Sequence, residues 1–297
     1  MNLWEAIILG FVQGLTEFLP VSSSAHLRVV GELIGSADPG AAFTAITQIG
    51  TELAVLIYFR KDIVRIIRAW WRALVGRYGP SLRARLGNPA DGPRDADALL
   101  GWYIILGTIP IVVLALGFQD YIEHALRNLW ITAAVLAIFA VFLGLADRFG
   151  RKNANLDTLT TKHAVGFGLG QAMALVPGVS RSGGTITVGL LLGYTREAAA
   201  RYSFLLAIPA VLGSGAYQVY KALSGEGIAA TTFPGWGVTA IATVVAFVVG
   251  YFVIIGFLKL VSTKSYWPFV FYRIFAAAVI IVLLATSVLH PLSGVTP

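Results

Sequence analysis

The sequence predicts an all-α integral membrane protein: an inverted repeat of six transmembrane helices plus two re-entrant helical hairpins. Three observations predict it: a composition too apolar for water, six long apolar runs set between basic segments, and an internal repeat centred on two broken, polar hairpins. Of 297 residues, 57% are hydrophobic and only 12% charged, with a mean hydropathy of +0.77. A soluble domain carries about 25% charged residues, so a globular fold in water is excluded. There are no cysteines, which removes disulfides, thiolate metal sites and a cysteine nucleophile. The charge of +7 is therefore read for its position along the chain rather than for a nucleic-acid partner, which is not expected. The start lacks the basic residues of a cleavable signal, so it is expected to stay in the mature chain.

A spanning helix needs about 20 mostly apolar residues. Runs of that kind cover about residues 41–59, 99–118 and 129–146 in a first repeat (1–148), and 200–223, 236–258 and 269–289 in a second (149–297). Two further apolar stretches, 3–35 and 164–194, are polar in the middle and broken by Pro20 and by Pro177-Gly178. Each reads as two half-helices meeting at a loop. Between the first two spans, residues 60–98 hold nine basic residues against four acids and read as a cytoplasmic loop, with Trp70 and Trp71 as interfacial anchors. Arg148, Arg151, Lys152, Lys162, Lys259 and Lys264 fall on that same side only if both broken stretches enter and leave by one face. Both termini then lie outside.

Shifting the chain by 158 lays Gly10–Gly35 on Gly168–Gly193 without a gap, with nine identities in 26 positions. Three spans follow each hairpin, an odd number, so the second copy enters the membrane upside down. Inverted repeats of this kind place their sites near the midplane, between broken helices.

Polar groups at membrane depth cost from a few to about ten kcal/mol and are functional candidates by default. The first hairpin gathers Gln13, Glu17, Ser22, Ser23, Ser24 and His26 within 14 residues. Gln13 and Glu17, four apart, share a helical face. Together these residues offer a general base, a hydroxyl nucleophile and a proton carrier. The plainer reading makes the serines helix caps and pairs Glu17 with an arginine. The second hairpin reads Pro177-Gly178-Val179-Ser180-Arg181-Ser182-Gly183-Gly184-Thr185. Small residues ahead of a helix expose backbone N–H groups to an anion, and the Arg181 guanidinium matches phosphate oxygens. The alternative for Arg181 is neutralising Glu17 across the repeat. Gln48 and Glu52, inside the first span, and Arg201 and Arg273, near segment ends, are expected to pair or snorkel. His124, His163 and His290 have no ligand-spaced partner and are assigned no chemistry.

The segments Gln13–His26 and Pro177–Thr185, with Ser203–Pro209 and Pro268-Phe-x-x-Tyr-Arg273, resemble the bacterial undecaprenyl-diphosphate phosphatase family, also called bacitracin resistance proteins, over nearly the whole chain. The resemblance implies six spans with two re-entrant hairpins, and hydrolysis of undecaprenyl diphosphate to undecaprenyl phosphate at the outer face of the cytoplasmic membrane. Bacitracin would act indirectly, by sequestering that substrate. It implies Glu17, Ser23, His26 and Arg181 as catalytic residues, and Gln13, Ser22, Gly178, Ser180, Arg181, Ser182 and Thr185 as phosphate-binding ones. Ser23, His26 or a water remains open as nucleophile. Position 13 is often Glu in that family, so Gln13 departs from the pattern. Gln13 and Glu17 could also give two oxygen ligands to a divalent cation, Mg²⁺ or Ca²⁺, completed by the diphosphate. A homodimer is the assembly to look for, and a polyprenyl-phosphate flippase or transporter on the same repeat plan is the rival function.

Overall fold

Each hairpin turns where its sequence forbids a continuous helix. A computed structural model of the chain describes residues 1–36, 40–89, 92–118, 128–224 and 233–292. In the first hairpin α1 (Leu3–Thr16) and α2 (Ser23–Leu33) meet around Pro20, whose missing N–H and fixed ring stop a helix, and Ser22 takes a positive φ of 71°. In the second, α8 (Thr161–Ala172) and α9 (Arg181–Leu191) meet through a 3₁₀ turn, Met173–Leu175, then Pro177 and Gly178. Here Ser180 has a φ of 70°. At about 1.5 Å per residue, none of these half-helices reaches across the roughly 30 Å of a hydrocarbon core.

Helices stand at all six runs expected to span: α3 (Gly40–Tyr58), α6 (Ala96–Gly117), α7 (Leu129–Phe149), α10 (Arg196–Ser224), α11 (Trp236–Thr263) and α12 (Trp267–Ala285). Five of them, all but α3, are long and apolar enough to cross a membrane. Over its described side chains, Phe43–Tyr58, α3 is a shorter apolar helix that buries Thr47, Thr51 and Glu52. Boundaries differ by a few residues from the apolar runs. Helix α10 starts at Arg196 instead of Ala200, behind Thr195, whose hydroxyl accepts from the Ala198 N–H at 3.2 Å, and α11 runs on to Thr263 instead of Leu258.

The basic segment 60–98 is more ordered than a loop. It forms α4 (Arg60–Leu74) and the short α5 (Leu82–Arg85), because Ile66, Ala69 and Ala73 recur at helical spacing and are buried on the side that packs on α6. Asp95 closes the segment. It caps α6 by accepting from the Ala98 N–H at 3.0 Å, and it accepts the Tyr78 hydroxyl at 2.5 Å. That hydrogen bond pushes the Tyr78 phenol up to about 12.

The two halves interlock. Helix α1 lies along α11, and α8 lies along α6, so the entering arm of each hairpin packs on a middle span from the other half of the chain. Gly10 and Gly168, 158 residues apart, sit at these crossings. A Cβ on either would lie 2.5 Å from a carbonyl oxygen, that of Ala242 or of Gly107. Small residues permit such approach between helices where lipid offers no hydrophobic drive. Between the halves runs a core of buried aromatic and aliphatic side chains, including Phe18, Phe59, Phe204 and Phe257.

Candidate active site

Three of the four hydrogen bonds from one arginine join the two hairpin tips, and the fourth ties them to α7. Arg273, on α12, is fully buried. Its Nη1 donates to the carbonyls of Pro20 at 2.9 Å and Val179 at 3.1 Å, its Nη2 to Gly178 at 2.9 Å, and its Nε to Leu136 at 3.1 Å. Of the pairing or snorkelling expected of Arg273, the structure shows a pairing with backbone carbonyls instead of an acid, because the carbonyls freed by the two helix breaks need those donors. Ser182 adds a direct bond between the tips, its Oγ donating to the Leu19 carbonyl at 3.0 Å. Gly178 fits under this clamp with a φ of 98°, and a Cβ there would lie 2.5 Å from the Thr132 carbonyl oxygen.

Glu17 is where the tips meet chemically. Its carboxylate is 3% exposed and takes three donors. Gln13 Nε2 and Ser23 Oγ each reach Oε2 at 2.7 Å, and Arg181 Nη2 reaches Oε1 at 2.5 Å. The Gln13–Glu17 spacing of one helical turn thus makes the contact it predicts. Arg181 forms the Glu17 ion pair that was the alternative to a phosphate role. Its side chain is 18% exposed.

Both half-helices beyond the breaks begin alike. Ser22 and Ser24 approach through their hydroxyls at 3.2 Å, and Ser180 and Ser182 at 3.1 Å. Ser180 Oγ also accepts from the Gly183 N–H at 3.2 Å. Among the described residues the backbone N–H groups of Ser180, Arg181 and Ser182, and of Ser23 and Ser24, have no hydrogen-bond acceptor. Two helix N-termini, each with positive dipole ends, therefore border the Glu17 cluster. The Thr185 hydroxyl turns away from it, donating to the Arg181 carbonyl at 2.7 Å.

His26 is held apart from the cluster. Its Nδ1 lies 2.8 Å from the Ser22 carbonyl, which can only accept, so Nδ1 carries a proton and the neutral ring presents Nε2 as an acceptor. The Tyr272 hydroxyl fills that position at 2.6 Å, and the two rings stack with centroids 5.5 Å apart. The structure thus unites Gln13, Glu17, Ser23 and Arg181, and leaves His26 bracing α2 against α12. Beside that pair runs an apolar groove between α2 and α12, lined by Val29, Phe275, Ala276 and Val279.

Sequence reasoning named Tyr272, Arg273 and Glu52 but gave none of them a place in the site. Tyr272 and Arg273 were visible as a polar pair in an apolar span. Glu52 was expected to pair or snorkel, yet it is 1% exposed with Oε1 unpartnered, within electrostatic reach of Arg181 and Glu17. Arg201 does pair, with Asp62 at 2.8 Å. His163 bonds the Tyr194 hydroxyl at 2.9 Å, and His124 lies outside the described residues.

Residues 6–279 match the family described as bacitracin resistance protein BacA. The chain belongs to this family. Similar proteins carry a consistent name. An "Undecaprenyl-diphosphatase 2" of Agrobacterium fabrum is 59% identical over 290 residues, 97% of this chain and 98% of that protein. An "Undecaprenyl-diphosphatase" of Paenarthrobacter aurescens is 58% identical over 97% of this chain and 99% of its own length. One of the same name from Bifidobacterium adolescentis is 55% identical, covering 98% of each. The matched region contains the whole Glu17 cluster, both tips and the Tyr272–Arg273 pair.

Proposed function

We propose that this protein is a membrane phosphatase that hydrolyses undecaprenyl diphosphate to undecaprenyl phosphate and inorganic phosphate, recycling the lipid carrier of cell-wall synthesis and so conferring bacitracin resistance. The observation that carries the reading is one buried carboxylate accepting a serine hydroxyl and an arginine at once. In phosphoryl transfer the protein contributes mainly position and charge. Arg181 turns from Glu17 to the terminal phosphate, joined by the free N–H groups of the two helix N-termini. That movement uncovers Glu17 Oε1 and leaves Glu17 free to take the Ser23 proton. Ser23 Oγ bonds the terminal phosphorus as the bond from phosphorus to the bridging oxygen breaks, and undecaprenyl phosphate leaves. The proton held by Glu17 passes to the departing undecaprenyl phosphate, so the carboxylate is restored; it then takes a proton from water as the water oxygen bonds phosphorus, the bond from phosphorus to Ser23 Oγ breaks, and that proton returns to Ser23 Oγ as phosphate leaves. Ser23 is favoured over His26 because both ring nitrogens of His26 are engaged elsewhere.

Gln13 Oε1 is buried and unpartnered, and Glu17 Oε1 keeps a lone pair beyond its bond to Arg181. These two hard oxygens fit Mg²⁺ or Ca²⁺ with the substrate as co-ligand. Such an ion would neutralise the diphosphate. Among the described residues no cluster of three or more acidic or imidazole groups could hold it unaided.

We place the protein in the bacterial cytoplasmic membrane with six crossings, the first hairpin entering from the outer face, the second from the cytoplasmic face and both termini outside, as an inverted repeat. The interlocked arms, the short half-helices and the basic α4 segment support this arrangement. Single cysteines introduced into this cysteine-free chain at Arg83 and Ser287 should label from opposite faces. Labelling from one face would overturn the topology. For the chemistry, purified protein should release phosphate from a polyprenyl diphosphate in detergent. Tight lipid binding without release would favour the flippase.

A further inference from the structure

The segment α4–α5 carries a surface that the catalytic site does not use. At 100° per residue, α4 divides into three stripes. Ile66, Ala69 and Ala73 are buried towards α6. Val64, Ile67, Trp71 and Val75 form an apolar stripe left 44–56% exposed. Between the two lies a cationic stripe of Lys61, Arg65, Arg68 and Arg72, all exposed.

The acids nearby are already spent. Asp62 pairs with Arg65 and Arg201, and Asp97 pairs with Arg65. Asp95 is held by its cap and by Tyr78. Among the described residues, what remains outward is positive charge without an acidic partner. Lys61, Arg68, Arg72, Arg77, Arg83 and Arg85 are exposed and make no side-chain hydrogen bond or ion pair among the described residues. Leu82, 75% exposed, extends the apolar part into α5.

This surface lies beside aromatic side chains. Trp70 and Trp102 meet edge to face at 5.4 Å, an aromatic pair of the kind that marks a membrane–water boundary. On the neighbouring α6, Ile105 and Ile109 are also 44% and 49% exposed. A cationic row beside an apolar row complements a phosphate headgroup joined to acyl chains.

We propose that α4 and α5 form an interfacial binding surface for anionic phospholipid, with the arginine row on headgroup phosphates and Val64, Ile67 and Trp71 among the acyl chains. The proposal is independent of the phosphatase reading.

The test uses full-length delipidated protein in nanodiscs of phosphatidylcholine containing phosphatidylglycerol, with bound lipid counted by native mass spectrometry. The wild type should retain phosphatidylglycerol in preference to phosphatidylcholine. Arg68→Gln/Arg72→Gln should lower that preference on the order of tenfold, while Lys259→Gln, also removing an exposed cation, should leave it intact. Thermal unfolding in pure phosphatidylcholine should be the same for all three. If the double variant is not monodisperse, Arg83→Gln/Arg85→Gln carries the same expectation. Equal retention of both lipids by the wild type, or unchanged preference in the arginine variants, would overturn the proposal. So would displacement of the lipid by inorganic phosphate at matched concentration, since the surface would then recognise a bare anion.

Discussion

The two hairpin tips are built on one scaffold and carry different cargo. Counting 158 residues on, Gln13 becomes Gln171, Ser22 becomes Ser180 and Ser24 becomes Ser182, with near-equal positive φ at the two leading serines and a serine–serine brace in each. At the first position of the helix beyond the break, however, Ser23 in one tip is replaced by Arg181 in the other. Four residues after the glutamine, Glu17 is replaced by Leu175. The consequence is visible in the glutamines. Gln13 donates to Glu17, whereas Gln171 is buried with neither side-chain atom partnered. The repeat thus gives two equivalent breaks that differ at two positions: one carries Ser23 and Glu17, proposed above as nucleophile and base, and the other Arg181, proposed to hold the anion. Both equivalents, Ser23 and Arg181, converge on the same carboxylate.

This comparison can be broken at its cargo first. Arg181→Ala should lower phosphate release by about 10³-fold, by analogy with loss of a preorganised charge donor, while the protein stays folded. Activity within tenfold of wild type would mean that the second tip does not hold the phosphate. Ser23→Ala should cost about 10²-fold or more with lipid binding retained, measured by turnover beside a binding isotherm. Near-normal turnover would assign the attack to water.

The scaffold is tested next. Arg273→Met removes four donors from buried carbonyls and should destabilise by about 3–5 kcal/mol, read as a lowered thermal midpoint. An unchanged midpoint would show that the tips hold together without the clamp. Gln13→Glu places a second carboxylate one turn from Glu17, and activity after chelation and titration should then show several-fold tighter dependence on Mg²⁺ or Ca²⁺. The smallest effect is expected of Tyr272→Phe, which deletes one hydrogen bond to His26. A loss of a few-fold in kcat with KM unchanged would fit a brace, and a 10³-fold loss would return His26 to the chemistry.

Much of this architecture is legible in the sequence, for definite reasons. Lipid admits few backbone solutions, so long apolar runs and their broken counterparts announce themselves, and the repeat fixes which parts correspond. The Gln13–Glu17 contact follows from helical spacing alone. Partnerships across the fold are different, since sequence spacing does not report them. Nothing near Arg273 in the chain points to carbonyls at 20, 178 and 179, and nothing near Glu52 points to Arg181. The orderly α4 also escaped, because its charge count outweighs its apolar stripe until the α6 surface is present to bury Ile66 and Ala69.

The exchange of hairpin arms between halves sets an order of assembly. The seat for α1 on α11 is completed by the residues of Trp236–Thr263, which leave the ribosome long after α1 does. During synthesis the first hairpin must therefore wait at the membrane unseated, its buried-to-be carboxylate and serines without their final neighbours. The second hairpin meets its own seat, α6, already made. A nascent chain stopped before Trp236 should expose the first hairpin to proteases or membrane quality control more than the second, whose arm is seated on α6 although its tip still lacks Arg273.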